Sequence, residues 1–159
     1  MTQGTQVYQS EQALVEQYKL YVEMADRISA RRADTNKFYI SLLTALLVIL
    51  SIVVEKSILS NVQGFVFIAI AILGVALCLV WVVNIRSYSQ LNTGKFKVIH
   101  DMEKQLPYPC YDREWEILGR GSDRRKYFQL SRIEQYVPLL LAIPYLLLLV
   151  YSLYTLVHP

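Results

Sequence analysis

Residues 65–83 read FVFIAIAILGVALCLVWVV, a run without any charged side chain. Residues 38–54 and 137–157 form two further uncharged, apolar runs. About 20 helical residues cross the roughly 30 Å hydrocarbon layer of a bilayer, and the runs at 65–83 and 137–157 approach or exceed that length. The run at 38–54 is shorter, and it suffices if Lys37 and Lys56 extend to the headgroups. The sequence therefore predicts three membrane spans.

These spans are predicted to be helices. Lipid offers no partner to an unsatisfied backbone N–H or C=O, so only helices and closed barrels cross a bilayer, and the alternating pattern of barrel strands is not seen here. The run at 38–54 follows a long charged stretch, which argues against a cleaved signal peptide. A 54% hydrophobic content and a mean hydropathy of +0.30 fit an all-α membrane protein with three transmembrane helices.

Lys and Arg residues are distributed unevenly around the spans. Residues 1–37 hold five and residues 84–136 hold ten, whereas the connection at 55–64 holds only Lys56. Because positively charged flanks remain in the cytoplasm, the N-terminus and residues 84–136 are predicted to be cytoplasmic, and residues 55–64 and the C-terminus periplasmic. The net charge of +3 follows first from this topology and brings the basic segments near anionic membrane lipid.

Both of the first two spans are predicted to continue as helices into the cytoplasm. No Gly or Pro occurs between Thr5 and Asn61. Apolar or aromatic residues recur at steps of four and three, at Leu14, Tyr18, Tyr21, Ala25 and Ile28. A similar pattern extends the second span through residues 84–106, until Pro107. The two extensions are expected to form an antiparallel hairpin, whose apolar seams could pair within one chain or between copies.

Residues 107–136 are predicted to be a cytoplasmic loop with one short helix. Asp112 can cap a helix that runs through Leu118, and Gly119 can end it. A basic segment follows at Arg120, Arg124, Arg125 and Lys126, and then a capping box at Ser131 and Glu134. Pro144 lies inside the third span, where it is expected to kink the helix.

A polar stripe marks the first span. Ser41, Thr44, Ser51 and Glu55 are spaced to lie on one helix face, with Val48 between them. A ring of such helices would enclose hydroxyl groups and place carboxylates at its outer mouth, as cation pores do. The alternative is that the hydroxyls allow close helix packing or bond to their own backbone. Ala71, Gly74 and Cys78 in the second span indicate packing, and Tyr145, Tyr151 and Tyr154 in the third indicate interfacial anchors.

Basic residues mixed with aromatic residues could bind an anion on the cytoplasmic side. The candidate ligand residues are Arg27, Arg31, Arg32, Lys95, Arg120, Arg124, Arg125 and Lys126. Cations neutralise phosphates and aromatic rings stack on bases, so a nucleotide or short oligonucleotide is a reasonable ligand. Lipid headgroups, or ion pairs with the carboxylates of this region, are the alternatives.

The sequence predicts no enzyme. The two Cys, at 78 and 110, and the two His, at 100 and 158, do not have the spacing of a metal site, and no cofactor motif is seen. Asp101 and Glu103 beside His100 are expected to lie on a solvated helix face. The uncharged spans argue against proton-coupled transport.

Three stretches carry a resemblance to a known family. They are YKLYVEMADRISARR at 18–32, NIRSYSQLNTGKFKVIHDMEKQL at 84–106 and YDREWEILGRG at 111–121. The chain resembles a widespread family of small bacterial integral membrane proteins, which implies the inner membrane. It is also similar in size and helix count to the channel effector of the Hailong antiphage system. That resemblance implies a homo-oligomer, a tetramer or a similar assembly, gated by a second messenger from a nucleotidyltransferase.

Two functions therefore stand from the sequence. One is a homo-oligomeric, ligand-gated channel or pore that depolarises the inner membrane in antiphage defence. The other is a non-catalytic anchor or scaffold, whose helical hairpin recruits a cytoplasmic partner.

Overall fold

A computed structural model describes the backbone of residues 2–56, 63–121 and 133–158, with side chains from residue 10 onward except at residue 56. Its helices are α1 (Thr2–Lys56), α2 (Gln63–Glu103), α3 (Cys110–Ile117) and α4 (Tyr136–Val157). No strand occurs in these ranges. Three of the helices, α1, α2 and α4, are long and apolar enough to cross a membrane. The predicted all-α fold with three transmembrane helices is confirmed.

The helix ends differ in detail from the sequence prediction. Helix α1 begins at Thr2 and continues to Lys56. Helix α2 ends at Glu103, before the predicted end at Leu106. The connection at 57–62, and Ser131 of the predicted capping box, lie outside the described residues. Helix α4 is continuous through Pro144.

The short helix α3 starts by a different means than its sequence suggests, but it ends as predicted. Its N-cap residue is Pro109, which makes no side-chain capping hydrogen bond, so the prediction that Asp112 caps it was wrong: Asp112 lies inside the first turn. Gly119 does end the helix, at φ 71°. Arg120 and Gly121 follow at φ 51° and 70°, which places a non-glycine residue in the left-handed region between two glycines.

The chain divides into two compact units, to which α1 and α2 both contribute. We call residues 1–32 and 87–130 the polar unit, and residues 33–86 and 131–159 the membrane unit. The division falls just outside the first two uncharged runs.

Within the polar unit the apolar seams of α1 and α2 pair inside one chain. Ala25 and Ile28 of α1 and Ile99 of α2 are buried. Tyr18 bonds to Glu103, and the Nζ atom of Lys95 lies 4.9 Å from the ring centre of Tyr21. A later residue of α1 thus meets an earlier residue of α2, so the two helices are antiparallel, as the sequence predicts.

The membrane unit has its own core, to which α1, α2 and α4 all contribute. Its buried residues are Tyr39, Leu43, Ile70, Cys78, Trp81, Ile85, Ala142 and Tyr145. A single chain therefore packs its three spans against one another before any second copy is considered.

Candidate functional site

The polar stripe of α1 is exposed within the single chain. Ser41, Thr44, Ser51 and Glu55 all have exposed side chains. Leu43, which precedes Thr44 and points about 100° away from it, is 1% exposed and packs in the core of the membrane unit. The stripe therefore takes no part in packing among the three spans of one chain, and the packing alternative is left with contacts between copies.

One hydroxyl of the stripe bonds to its own helix. The Oγ of Ser51 donates to the carbonyl of Leu47 at 2.9 Å. This back-bonding satisfies the hydroxyl proton but leaves oxygen lone pairs available on the exposed face. The alternative that the hydroxyls bond to their own backbone is therefore correct for Ser51, and it does not exclude contact with water.

The exposed faces of the other spans are more apolar. In α2 they carry Phe65, Ile72, Leu73, Leu79, Val80 and Val83, and in α4 they carry Leu139, Leu140, Ile143, Leu146, Leu147 and Val150. The exposed hydroxyls of α4 lie near its two ends, at Tyr136 on the N-terminal side and at Tyr151, Tyr154 and Thr155 on the C-terminal side. Among the described spans, only α1 presents hydroxyl groups in the middle of an exposed face. This contrast identifies α1 as the span least suited to lipid.

Tyr145 was expected to anchor α4 at the membrane interface, and the structure contradicts this. Its side chain is fully buried, and its hydroxyl donates to the carbonyl of Leu43 at 2.6 Å. A Cβ built on Gly74 would overlap the Tyr145 ring, so the glycine of α2 makes room for it. Tyr145 thus joins all three spans. Tyr151 and Tyr154 are exposed, and their anchoring role stays a prediction.

A polar and aromatic cluster in the membrane unit was missed by sequence reasoning. Trp81 is buried and stacks on Tyr39, with ring centres 5.6 Å apart and an interplanar angle of 9°. Its Nε1–H donates to the Oδ1 of Asn36 at 2.8 Å, and the amide of Asn84 donates to the Tyr39 hydroxyl at 2.8 Å. The sequence did contain a pattern that could have revealed this cluster. At the end of its span, α1 has Asn36 and Tyr39 three positions apart, and α2 has Trp81 and Asn84 three positions apart.

The candidate ligand residues do not share one set of contacts. Arg27 pairs with Glu23 at 2.6 Å, and Arg120 pairs with Glu116 at 3.0 Å. Lys95 lies over Tyr21 and against the sulfur of Met24. Arg31 is exposed and Arg32 is half-buried. Arg124, Arg125 and Lys126 lie outside the described residues, so the predicted ligand set stays a prediction.

Glu103 was expected on a solvated helix face, and the structure contradicts this as well. It is 1% exposed, whereas Asp101 is exposed and pairs with Lys104. One carboxylate oxygen of Glu103 accepts from the Tyr18 hydroxyl at 2.9 Å and from the Tyr111 N–H at 2.7 Å. The other accepts from the Asp112 N–H at 3.0 Å. Glu103 therefore caps α3 from a different helix, in place of the predicted local cap.

These hydrogen bonds have an electrostatic consequence for Tyr18. Burial, together with donation to the Glu103 carboxylate, raises the pKa of the Tyr18 phenol far above its usual value. Burial also raises the pKa of Tyr111, with the charges of Asp26 and Glu114 adding to the effect. Tyr18 therefore stays a hydrogen-bond donor at every physiological pH.

Together, the spans and the exposed stripe define a multi-pass helical membrane protein with a polar face that one chain leaves uncovered. The chain belongs to the octameric membrane protein family (8xMP), whose family model matches residues 15–154. It is therefore a homo-oligomeric membrane protein. No match was found among curated proteins or among solved structures.

Proposed function

We propose that the protein forms a ligand-gated pore in the bacterial inner membrane, lined by α1 and opened as part of an antiphage response. The family name gives eight subunits, which replaces the tetramer or similar assembly expected from the sequence. The N-terminus is cytoplasmic in this proposal, as the distribution of Lys and Arg indicates. The observation that carries the proposal is the exposed hydroxyl stripe of α1.

An exposed polar face in a membrane span needs a polar environment. A hydroxyl in a membrane span can donate to its own helix, as Ser51 does, but its remaining lone pairs find no donor in lipid. In a homo-oligomer the hydroxyls can instead face a neighbouring subunit or an aqueous channel. Glu55 favours the channel, because a carboxylate at the end of the stripe requires water or a cation. Eight copies would place a ring of carboxylates at the periplasmic mouth, which attracts cations.

The polar unit is the sensor in this proposal. The exposed guanidinium of Arg31, the neighbouring Arg32 and the basic residues that follow Arg120 suit a phosphate-bearing ligand. A nucleotide or short oligonucleotide made by a nucleotidyltransferase is the proposed signal, and the protein itself is not an enzyme. Opening would depolarise the infected cell.

Conductance tests the pore part of the proposal. Purified protein in a planar bilayer is expected to pass current, and Thr44→Val is expected to lower the single-channel conductance because it removes a lining hydroxyl without changing side-chain shape. Thr155→Val is the matched control, since Thr155 is an exposed threonine on α4. Glu55→Gln is expected to reduce the preference for cations over anions. Equal effects of the two threonine variants would contradict lining by α1.

Membrane potential tests the signalling part. A voltage-sensitive dye should report depolarisation only in cells that express this protein together with a candidate nucleotidyltransferase from its operon. Arg31→Gln and Arg124→Gln are expected to abolish the response, while Arg86→Gln, at an exposed arginine outside the candidate set, retains it. Full depolarisation with both Arg31→Gln and Arg124→Gln would contradict the proposal that the polar unit senses the ligand.

The scaffold alternative relied on the apolar seams as a recruiting surface. Ala25, Ile28 and Ile99, which belong to those seams, are buried inside one chain. The seams are thus already occupied, which favours the pore. A cytoplasmic partner that co-purifies in fixed proportion, with no conductance from the pure protein, would restore the scaffold.

A further inference from the structure

One side of the polar unit carries an exposed band of apolar residues around a lysine. Leu20 and Met24 of α1 are exposed, and so are Leu91 and Val98 of α2. Lys95 lies between the latter two along α2, and its Nζ is 3.9 Å from the Met24 sulfur. These five residues form what we call the basic band. Since they lie outside the uncharged runs, their apolar atoms face water in a single chain.

The outward face of α3 has the opposite charge. Cys110, Glu114 and Ile117 follow one another at helical spacing and are exposed, and Ile117 is 65% exposed. In the described part of the chain, the side chain of Glu114 makes no hydrogen bond or ion pair. Its charge does help to raise the pKa of Tyr111. We call these three residues the acidic face. It offers a carboxylate and a large aliphatic side chain side by side.

The basic band and the acidic face lie on different sides of the polar unit. Helix α3 packs through Tyr111, which contacts Phe96 at 5.7 Å between ring centres. Phe96 follows Lys95, and consecutive helical residues point about 100° apart. On α1, Tyr18 donates to Glu103, the residue that caps α3, and so lies on the side of α3. Met24 instead contacts Lys95. One chain therefore cannot cover its own basic band with its own α3.

A ring of more than two identical subunits needs two different complementary surfaces on each subunit, because a head-to-tail contact alone closes into a ring. Eight copies that all have the same orientation in the membrane can form a closed ring only through such a pair, and the family description gives eight copies. The basic band and the acidic face match in charge, and each offers exposed aliphatic side chains to the other.

We propose that α3 of one subunit docks on the basic band of the next subunit in the ring, with Ile117 against Leu20 and Met24 and with Glu114 opposite Lys95. In this arrangement Glu103 has a second role, because by capping α3 it holds this helix in position to contact the neighbouring subunit. Lys95 serves this contact and not the ligand surface. The proposal needs the oligomer but does not depend on a pore.

Charge reversal tests the contact directly. Lys95→Glu and Glu114→Lys should each reduce the fraction of full-size oligomer by about tenfold or more, and the double variant should restore it, because the pair is re-formed with opposite polarity. The readout is the native mass of the detergent-solubilised protein. Lys97→Glu is the matched control, since Lys97 is an exposed lysine on another face of α2. Unchanged helicity in each variant separates loss of assembly from loss of folding.

Cross-linking supplies an independent readout from a native thiol. Cys110 is exposed on the acidic face. Met24→Cys with a short bis-maleimide should give a ladder of cross-linked species, and the added Cys110→Ser substitution should remove it. Full-size oligomers from both single charge variants, or a missing ladder, would assign the basic band to lipid or to another protein and overturn the proposal.

Discussion

The ring of Tyr145 fills the space that a side chain on Gly74 would need. A Cβ built on Gly74 overlaps ring carbons of Tyr145, and the hydroxyl at the far end of that ring donates to Leu43 at 2.6 Å. One aromatic side chain thus fixes α4 against both α1 and α2. The membrane unit depends on this arrangement because lipid supplies no hydrophobic force that would hold apolar helices together.

Gly74→Ala should destabilise the membrane unit. The added methyl group forces the Tyr145 ring to move, and overpacking of this kind costs about 1–3 kcal/mol. Gly94→Ala is the matched control, because nothing lies within 4 Å of a Cβ at that helical glycine. It should stabilise the protein by about 0.5–1 kcal/mol. Thermal unfolding in detergent measures both, and equal unfolding temperatures for the two variants would contradict this packing.

Tyr145→Phe should remove the hydrogen bond to Leu43 and keep the ring. Hydrogen bonds between membrane helices contribute about 0.6 kcal/mol on average and up to about 1.7 kcal/mol. A loss in this range is expected, measured as reversible unfolding in mixed micelles. Tyr151→Phe, at an exposed tyrosine of the same helix, should have no effect on the unfolding free energy. A larger loss from Tyr151→Phe would argue that the two tyrosines have exchanged roles.

Glu103→Gln should loosen α3. The amide nitrogen of glutamine cannot accept a hydrogen bond, so one of the donors from Tyr18, Tyr111 or Asp112 loses its partner, at a cost of about 1–3 kcal/mol. Hydrogen exchange of the Tyr111 and Asp112 amides should accelerate. Asp101→Asn, which changes an exposed carboxylate two positions away, should leave the exchange rates unchanged. Slow exchange in the Glu103 variant would show that α3 is capped by other means.

Tyr18→Phe should destabilise the polar unit in a pH-dependent way. The folded state raises the pKa of Tyr18 above its ordinary value of 10.0, so the protonated phenol is favoured by folding. Its contribution is complete below about pH 10 and falls as the pH rises toward the folded pKa.

The difference in unfolding free energy between wild type and Tyr18→Phe should therefore be constant from pH 6 to about pH 9.5 and shrink above that range. Denaturant titrations at several pH values measure it. A difference that grows with pH would mean that Tyr18 is not held protonated by Glu103.

Gly119 and Asp112 show how far local patterns reach. Gly119 ends α3 as expected, because a left-handed residue after a helix is a local requirement that glycine meets best. Asp112 does not cap α3, because a carboxylate from α2 already satisfies the first N–H groups. The residue that caps α3 is Glu103, nine positions before Asp112, and local capping patterns do not extend that far along the chain.

The sequence by itself determined the three spans and the antiparallel helical extensions of the first two. Uncharged runs of bilayer length must become helices, since lipid leaves the backbone no other partners, and apolar residues at steps of three and four mark the faces that pack. The hydroxyl stripe of α1 was also visible, because helical spacing alone places its members on one face.

Only the tertiary structure decided which polar side chains are buried and with whom. Tyr18 and Glu103 are 85 positions apart, and Tyr145 and Leu43 are 102 positions apart. Periodicity shows which face of a helix is apolar, but it does not fix the register between two helices, and a buried hydrogen bond exists only when that register brings donor and acceptor within about 3 Å. For this reason Glu103 and Tyr145, which resemble surface residues in the sequence, became the groups that hold the helices together.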